Sequence, residues 1–433
     1  MSESFFPRWR RVDGTGGTVI APDECLSPGQ NVAMGAQHVV AMFGSTVLAP
    51  LLMGFDPNVA ILMSGIGTLI FFCFVRGRVP SYLGSSFAFI GGVIAVTGYA
   101  GSGPNPNIGV ALGAIVACGL AYTVIGALVW MANARGGGGA GWIDRLMPPV
   151  VTGAVVAVIG LHLAPIAARN AMGGSTFDAL MALVTIVCVG GVAVWTRGML
   201  QRLLILAGLV LACVIYGLLA NVAGLGTPMD FSGVAQAAWF GLPRFASPEF
   251  QLPAISLIAP VAIILVAENL GHIKAVSAMT GRDMDRYLGR AFVGDGVATM
   301  VSGSVGGTGV TTYAENIGVM AVTRIYSTLV FVIAALIAIV LGFSPKFGAL
   351  ILTIPGPVLG GMSVVVFGLI TIAGARIWVV NKVDFSDNRN LIVAAVTLVM
   401  GAGDFTLRLG EFHLNGIGTA TFGAIILYAL LRK

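Results

Sequence analysis

The sequence predicts an all-α polytopic membrane protein whose fourteen transmembrane segments form a 7+7 inverted repeat. The first observation is composition: 57% of the residues are hydrophobic and only 9% are charged, whereas soluble domains carry about 25% charged residues. The second is length, because apolar stretches of about 20 residues recur and each can span a bilayer. The third is an internal similarity between the two halves of the chain. Together these observations argue against a soluble enzyme or binding domain.

Twelve of the predicted segments are plain, and the third and tenth are broken into a short extended piece and a half-helix. The predicted spans are 30–53, 57–75, 84–99, 107–132, 146–166, 177–196, 201–222, 253–273, 287–303, 308–323, 325–343, 348–372, 390–403 and 415–431. The polar segment 1–28 precedes them and has no apolar run typical of a signal peptide.

The distribution of Lys and Arg predicts that both termini are cytoplasmic. With that orientation only Arg169, Arg244, Lys346 and Arg408 fall outside, and the other 19 of the 23 basic residues fall inside. Such an excess of basic residues is typical of cytoplasmic loops. The net charge of +5 is therefore explained by topology, and no nucleic-acid partner is expected.

Two gap-free matches relate the halves. Residues 85–97 match 311–323 at six of thirteen positions, and residues 149–161 match 357–369 at seven of thirteen. Each match joins segments that are seven apart, so the halves must insert with opposite orientation. Inverted repeats with corresponding broken segments are typical of secondary transporters, whose site lies between the breaks near the middle of the membrane.

Few ionisable residues lie within the predicted spans, and each is a candidate for function. Glu268 and His272 are four residues apart in segment 8 and share one helix face. Glu315 opens the half-helix of segment 10, where the free N–H groups favour a carboxylate. Gln37 and His38 lie in segment 1. A structural role for each of these residues is the alternative.

The nature of these groups indicates the ligand class. Two carboxylates disfavour an anion and suit a cation or a neutral molecule with N–H donors. The extended pieces, which include Ser86 and Tyr313, present backbone groups to the edge of a flat heterocycle, and Phe87 or Tyr313 could stack on its face. Intramembrane acids and histidines also take up protons reversibly. The spans contain no HExxH or GxSxG motif and no P-loop, which argues against an enzyme.

These residues resemble the nucleobase–ascorbate transporter family. Its signature is matched by Glu315-Asn-Ile-Gly318 with Thr323-Arg324, its Gln-His pair by Gln37-His38, and its acidic segment by Glu268-Asn-Leu-Gly-His272. The match extends from about Pro22 onward, and within the family the chain is similar to bacterial uracil and pyrimidine permeases.

The resemblance implies a core domain of segments 1–4 (29–134) and 8–11 (253–345), and a gate domain of segments 5–7 (146–222) and 12–14 (346–433) that also forms a homodimer. It implies that Glu268, Glu315 and backbone groups near Phe87 and Ala314 bind uracil. His272 then supports proton coupling together with the two acids, and Gln37, His38 and Asn316 have supporting roles. Ala314 stands where the best-studied uracil transporter pattern has a glycine before the signature acid, which leaves thymine acceptance open.

The sequence therefore predicts a proton-coupled uracil importer of the bacterial inner membrane that works by alternating access. Thymine is a further candidate substrate, and xanthine is a weaker one. No cofactor or metal is expected beyond the proton gradient. The alternatives are an uncoupled nucleobase channel and an anion transporter of the same fold.

Overall fold

The computed structural model describes residues 6–12, 19–99, 103–134, 145–409 and 412–431, and these residues are mostly helical. The glycine-rich stretch 136–139, whose composition predicts a flexible cytoplasmic linker, lies outside this description, as do parts of the predicted N-terminal segment 1–28 and the last two residues. The principal helices are α1 (Pro28–Met53), α2 (Pro57–Phe74), α3 (Ile90–Thr97), α4 (Ile108–Ala134), α5 (Pro149–Met172), α6 (Thr176–Trp195), α7 (Leu204–Gly217), α8 (Leu252–Ile258), α9 (Val261–Thr280), α10 (Leu288–Ser304), α11 (Ala314–Thr323), α12 (Thr328–Gly342), α13 (Pro345–Leu352), α14 (Gly356–Val380), α15 (Asn388–Ala402) and α16 (Gly416–Leu430).

Three pairs of short strands complete the described structure. β1 (Arg10–Arg11) pairs with β2 (Glu24–Cys25) in parallel. β3 (Leu83–Ser85) pairs with β4 (Val310–Thr312), and β5 (Leu407–Leu409) with β6 (Phe412–Leu414), both in antiparallel fashion.

Eight helices of the described residues are long and apolar enough to cross a membrane. They are α1, α2, α4, α5, α6, α7 with the π-helical turn that follows it, α8 with α9, and α14. A ninth results if α12 and α13, which meet at 81°, form one span. The prediction of a mostly helical membrane protein is confirmed.

Both segments predicted to be broken are interrupted in the structure. The first consists of β3, a 3₁₀ turn at Phe87–Phe89 and α3, and the second of β4 and α11. The strands pair with each other, with Gly84 opposite Thr311, and all six strand residues are buried. Pairing satisfies backbone groups that water would otherwise have to reach, which is the condition for non-helical backbone at membrane depth.

The segments of the second sequence match also pack on each other. α5 and α14 each begin at a proline-rich turn, where the missing N–H groups cost nothing. They approach so closely that a Cβ added at Gly153 would lie 2.8 Å from the carbonyl oxygen of Gly374. Glycine at this contact lets the two backbones touch, as is common between membrane helices.

The N-terminal residues pack across one end of the helices near the second broken segment. The Ile20 N–H donates to the Arg324 carbonyl (3.0 Å), and the Tyr326 N–H donates to the Ile20 carbonyl (2.8 Å). Arg282, in the turn after α9, donates to Asp23 at 2.6 Å. The described part of the predicted N-terminal segment is thus attached to the segment that carries Glu315.

Two predicted boundaries are wrong. The span 348–372 crosses a break, because α13 ends at Leu352 and α14 begins only at Gly356. The prolines at 355 and 357 lack N–H donors and disfavour helical backbone before them, which explains the break. The span 253–273 is interrupted near Pro260 and continues to Thr280. α13 packs against α1 and α2, where the Asn58 amide donates to the Ser344 carbonyl and Phe43 contacts Phe347.

Candidate functional site

The site is built where the two broken segments cross. The Ser86 N–H donates to the Gly309 carbonyl (2.9 Å), and the Tyr313 N–H donates to the Tyr82 carbonyl (3.0 Å), so the pairing extends past both strands. A helix then starts on each side, at Phe87 and at Ala314. The first N–H groups of a helix have no partner within it. The crossing therefore directs two helix N-termini into one region, and Ala314 is exposed there while Ser86 is buried.

Glu315 lies in the first turn of α11 and is half-buried. Its carboxylate accepts a hydrogen bond from the Ser45 hydroxyl of α1, a residue with no exposed surface. The positive end of the α11 dipole also favours a negative charge here. The protein thus holds this carboxylate in place at the start of α11.

Glu268, on α9, is also half-buried. Its carboxylate makes no hydrogen bond with any residue that the structure describes, although it lies close enough to Glu315 for the two charges to interact. A buried charge is costly without hydrogen bonds. The second acid is therefore the group with unused acceptor capacity, which fits a ligand that supplies N–H donors or a proton.

His272 begins a chain of hydrogen bonds that leads away from the two acids. Its Nδ1 is 2.8 Å from the Thr312 hydroxyl, which is 3.3 Å from Oδ1 of Asn269. The Asn269 amide nitrogen donates to Oδ2 of Asp295 (2.5 Å) and to the Tyr122 hydroxyl (3.0 Å). Strand β4 thereby connects His272 to residues on α10 and α4.

Asp295 was missed by the sequence analysis. It is fully buried on α10, and its Oδ1 has no hydrogen-bond partner among the described residues. The signal was present, because an acid within a predicted span, here 287–303, is a functional candidate by default. Its place in the chain from His272 makes it part of the same polar cluster.

The predicted supporting residues connect α1 to α11. The Asn316 amide lies 3.0 Å from Nδ1 of His38 and donates to the His38 carbonyl at 3.0 Å. The His38 ring also packs on Phe331 of α12. Oε1 of Gln37 is buried without a partner in the described residues. His38 and Asn316 therefore hold the half-helix of Glu315 in place, and the role of Gln37 stays a prediction.

Two of the aromatic residues near the crossing were proposed to contact substrate. Tyr313 is buried. Its hydroxyl donates to the Ser85 carbonyl at 2.8 Å and accepts from the Thr46 hydroxyl at 3.2 Å. Phe87 is half-buried and contacts the edge of Phe367 on α14, with ring centroids 6.2 Å apart. Phe87 is thus the better placed to stack on a ligand. Phe367, which the sequence did not single out, adds a wall from α14.

Comparison with known proteins identifies the family. Residues 29–410 match the family model described as "Permease family". The chain is 66% identical to the protein named "Putative pyrimidine permease RutG" from Escherichia coli K12, over 99% of this chain and 96% of that one. It is 40% identical to the uracil permease of Bacillus caldolyticus, over 93% of this chain and 92% of the other. These relatives are permeases, and the prediction that the chain is not an enzyme is confirmed.

Solved structures show the fold. The transmembrane domain of the cyanobacterial bicarbonate transporter BicA superposes with a TM-score of 0.65 at 16% identity, over 92% of this chain and 96% of that one. The murine anion transporter Slc26a9 superposes with a TM-score of 0.65 at 12% identity, over 93% and 68% of the two chains. At such low identity the likeness concerns the fold alone. The family match and the extent of the sequence identity together show that the chain belongs to the nucleobase–ascorbate transporter family of membrane permeases.

Proposed function

We propose that this protein is a proton-coupled symporter that imports uracil across the bacterial inner membrane by alternating access. The observation that carries the proposal is the pair of half-buried carboxylates, Glu268 and Glu315, beside two helix N-termini. A uracil ring offers two N–H donors and two carbonyl acceptors. The carboxylates can accept from the former, and the backbone N–H groups of Phe87 and Ala314 can donate to the latter.

Proton coupling follows from the charge of the site. Two carboxylates that lie close together in a poorly solvated region repel each other, which favours the uptake of a proton by one of them. Glu268 and His272 are the groups proposed to exchange that proton, while Glu315 accepts from Ser45 and binds substrate. A neutral substrate then enters with the proton, and no ATP is required.

The proposed architecture is the predicted 7+7 repeat of fourteen segments, with both termini in the cytoplasm. Segments 1–4 and 8–11 form a core domain that moves against a gate domain of segments 5–7 and 12–14. Because α13 packs on α1 and α2, we assign it to the core and begin the second part of the gate at α14. The homodimer expected from the family forms through the gate.

The test is uptake of labelled uracil in bacterial cells that lack other uracil transporters. A symporter accumulates uracil above its external concentration and loses that accumulation when a protonophore collapses the gradient. An excess of unlabelled uracil, thymine or xanthine then measures the substrate range, with uracil the strongest competitor.

Two outcomes would replace the proposal. Uptake that only equilibrates uracil and is insensitive to the protonophore would indicate an uncoupled channel. Competition by bicarbonate or sulfate, without competition by nucleobases, would indicate an anion transporter, the activity named for the solved structures of similar fold. The carboxylates of the site argue against that outcome, because they repel anions.

A further inference from the structure

The hydrogen bonds that lead from Asp295 to His272 have a defined direction. The Asn269 amide nitrogen has two hydrogens, and both have acceptors, at Oδ2 of Asp295 and at the Tyr122 hydroxyl. The single hydrogen of the Tyr122 hydroxyl has two acceptors of its own, the Leu265 carbonyl at 3.3 Å and Oδ2 of Asp295 at 3.5 Å, so the hydroxyl oxygen is free to accept from Asn269. The amide of Asn269 is thereby oriented with its carbonyl oxygen, Oδ1, toward Thr312.

The orientation of Asn269 determines what Thr312 can do. A threonine hydroxyl has one hydrogen, and Oδ1 of Asn269 is an acceptor only, so the hydroxyl donates to it. The hydroxyl has no second hydrogen to donate. Its oxygen also lies 2.8 Å from Nδ1 of His272, so in that hydrogen bond Thr312 must be the acceptor and His272 the donor. The hydrogen of that bond comes from Nδ1, which fixes the tautomer of the neutral ring.

We propose that Asn269 and Thr312 are positioning residues that hold neutral His272 with its hydrogen on Nδ1, which makes Nε2 the nitrogen that takes up and releases the coupled proton. The claim that His272 takes up the coupled proton rests on the proposed function. The claim about its tautomer rests on the hydrogen-bond geometry. Nε2 accepts one proton to give the imidazolium, and Nδ1 keeps its hydrogen throughout. The bond to Thr312 is therefore made in both protonation states, and the ring need not turn when it is charged.

The surrounding charges agree with this assignment. Glu268 is on the same face of α9, Glu315 follows Thr312 by three residues, and Asp295 ends the hydrogen-bond chain. These carboxylates, when ionised, stabilise an imidazolium. Asp295 accepts from Asn269 through Oδ2, and its Oδ1 has no partner in the described structure, so a proton on Oδ1 would leave the direction of the chain unchanged.

The direct test is ¹⁵N NMR of the full-length protein with ring-labelled histidine. The sequence has four histidines, and the signals of His272 are assigned by their loss in His272→Gln. Near neutral pH, we expect Nδ1 to resonate as a protonated nitrogen and Nε2 as an unprotonated one. The opposite tautomer in the wild-type protein would overturn the proposal, whatever the protein transports.

Variants of β4 provide the matched comparison. Thr312→Val removes the hydroxyl and should produce a mixture of both tautomers, with uracil uptake lowered about tenfold, which corresponds to about 1.4 kcal/mol. Thr312→Ser keeps the hydroxyl and should restore both properties. Thr311→Val is the control, because Thr311 is equally buried in the same strand and its hydroxyl has no partner among the described residues.

The two readouts separate the inference from the proposed function. A wild-type protein with the expected tautomer but no uracil uptake would overturn the function and leave the positioning role of Thr312 intact. Normal uptake with an unchanged tautomer in Thr312→Val would overturn the inference and leave the function intact. Equal losses in Thr311→Val and Thr312→Val would show that the strand is merely sensitive to substitution, and would also overturn it.

Discussion

The two broken segments meet at one crossing but differ in chemistry. Segment 10, which contains β4 and α11, carries Glu315 in the first turn of its half-helix. At the equivalent position of segment 3, which contains β3 and α3, stands Phe89, whose fully buried ring lies against Gly309. A Cβ at Gly309 would be 2.2 Å from that ring. One segment therefore presents an acid to the site, and the other uses the same position to seal the crossing.

Other polar groups of the site have the same asymmetry. Thr312, which contacts His272, and Asn316, which contacts His38, both belong to segment 10. Segment 3 contributes the helix N-terminus at Phe87 and an aromatic wall. A repeated backbone thus supplies two similar frames, and only one of them carries the titratable chemistry.

The largest effect is expected where the two segments differ most. Glu315→Gln should reduce uracil uptake about a hundredfold, because it removes a charged hydrogen-bond acceptor worth about 1.5–3 kcal/mol at a helix N-terminus. Phe89→Leu, at the equivalent position of segment 3, should retain uptake within about threefold once expression is matched. Equal losses in both variants would mean that the two positions contribute alike and that the asymmetry has no functional meaning.

Glu268 tests whether the acid that lies outside both broken segments completes the site. Glu268→Gln should lower uptake about thirtyfold, since the variant still accepts a hydrogen bond but can no longer take up a proton. We expect residual uptake to be insensitive to a protonophore, which distinguishes loss of coupling from loss of binding. Uptake that remains fully coupled in this variant would remove Glu268 from the proton pathway.

Ser45 tests how the acid of segment 10 is held. Its hydroxyl donates to Glu315, and Ser45→Ala deletes that bond without adding volume, so the affinity for uracil should fall about tenfold. Ser363→Ala is the matched control, because its hydroxyl is equally buried and donates only to the Leu359 carbonyl of its own helix. Equilibrium binding to the purified protein measures both, and an unchanged affinity in Ser45→Ala would show that Glu315 needs no fixed orientation.

Much of this contrast could be predicted from the sequence. Glu268 and Glu315 were identified because acids are rare in apolar spans, and the match of residues 85–97 with 311–323 related the two broken segments. The same rule applied to Asp295 and was not used. Strand pairing between β3 and β4 could not be inferred, because three-residue strands have no periodicity of their own.

Other features depended on tertiary contacts. Ser45 and Phe367 are ordinary residues of apolar helices, and only the fold brings Ser45 to Glu315 and Phe367 to Phe87. The break before α14 was missed because apolar residues flank Thr353–Pro357 on both sides and suggest one continuous span, although the two prolines there indicated the break. Composition and motifs therefore predicted the class and the acids, whereas the partners of the acids required coordinates.

The two half-helices also differ in the residue at their C-terminal ends, and the expected effect of this difference on stability is small. α3 ends at Gly98 (φ 64°), whereas α11 ends at Arg324 (φ 55°), a left-handed conformation that is costly for a residue with a Cβ. Arg324→Gly should therefore stabilise the protein by about 0.5–1 kcal/mol, measured as a higher unfolding temperature in detergent. Arg324→Ala keeps the Cβ and should give no gain, while Gly98→Ala should destabilise by about 1 kcal/mol. Equal stabilisation by Ala and Gly at 324 would attribute the effect to the lost charge.

Among the described N-terminal residues, Ile20 and Asp23 attach the chain near the strained end of segment 10. Ile20 bonds on both sides of Arg324–Tyr326, and the Asp23–Arg282 pair attaches the same stretch to the turn after α9. Burial opposes ionisation of Asp23, but the hydrogen bond from Arg282, a backbone hydrogen bond and the positive charges of Arg282 and Arg78 together outweigh it, so the pKa of Asp23 is lowered. The ionised form is thus favoured by folding, so the stability it contributes is present above the ordinary pKa of an aspartate and is lost as pH falls below that value.

Asp23→Asn should consequently lower the unfolding temperature slightly at pH 7, and this effect should shrink as pH falls below the ordinary pKa of an aspartate. Both side chains are about 40% exposed, at 43% and 42%, so the pair contributes at most about 0.5 kcal/mol. Arg10→Gln is the control, because Arg10 pairs with Glu24 on the same N-terminal stretch but does not contact the turn after α9. We expect Asp23→Asn, and not Arg10→Gln, to increase hydrogen exchange at Ile325 and Tyr326, since only the first loosens the attachment of this stretch to the helices. Equal exchange in both variants would show that Ile20 alone holds the end of segment 10.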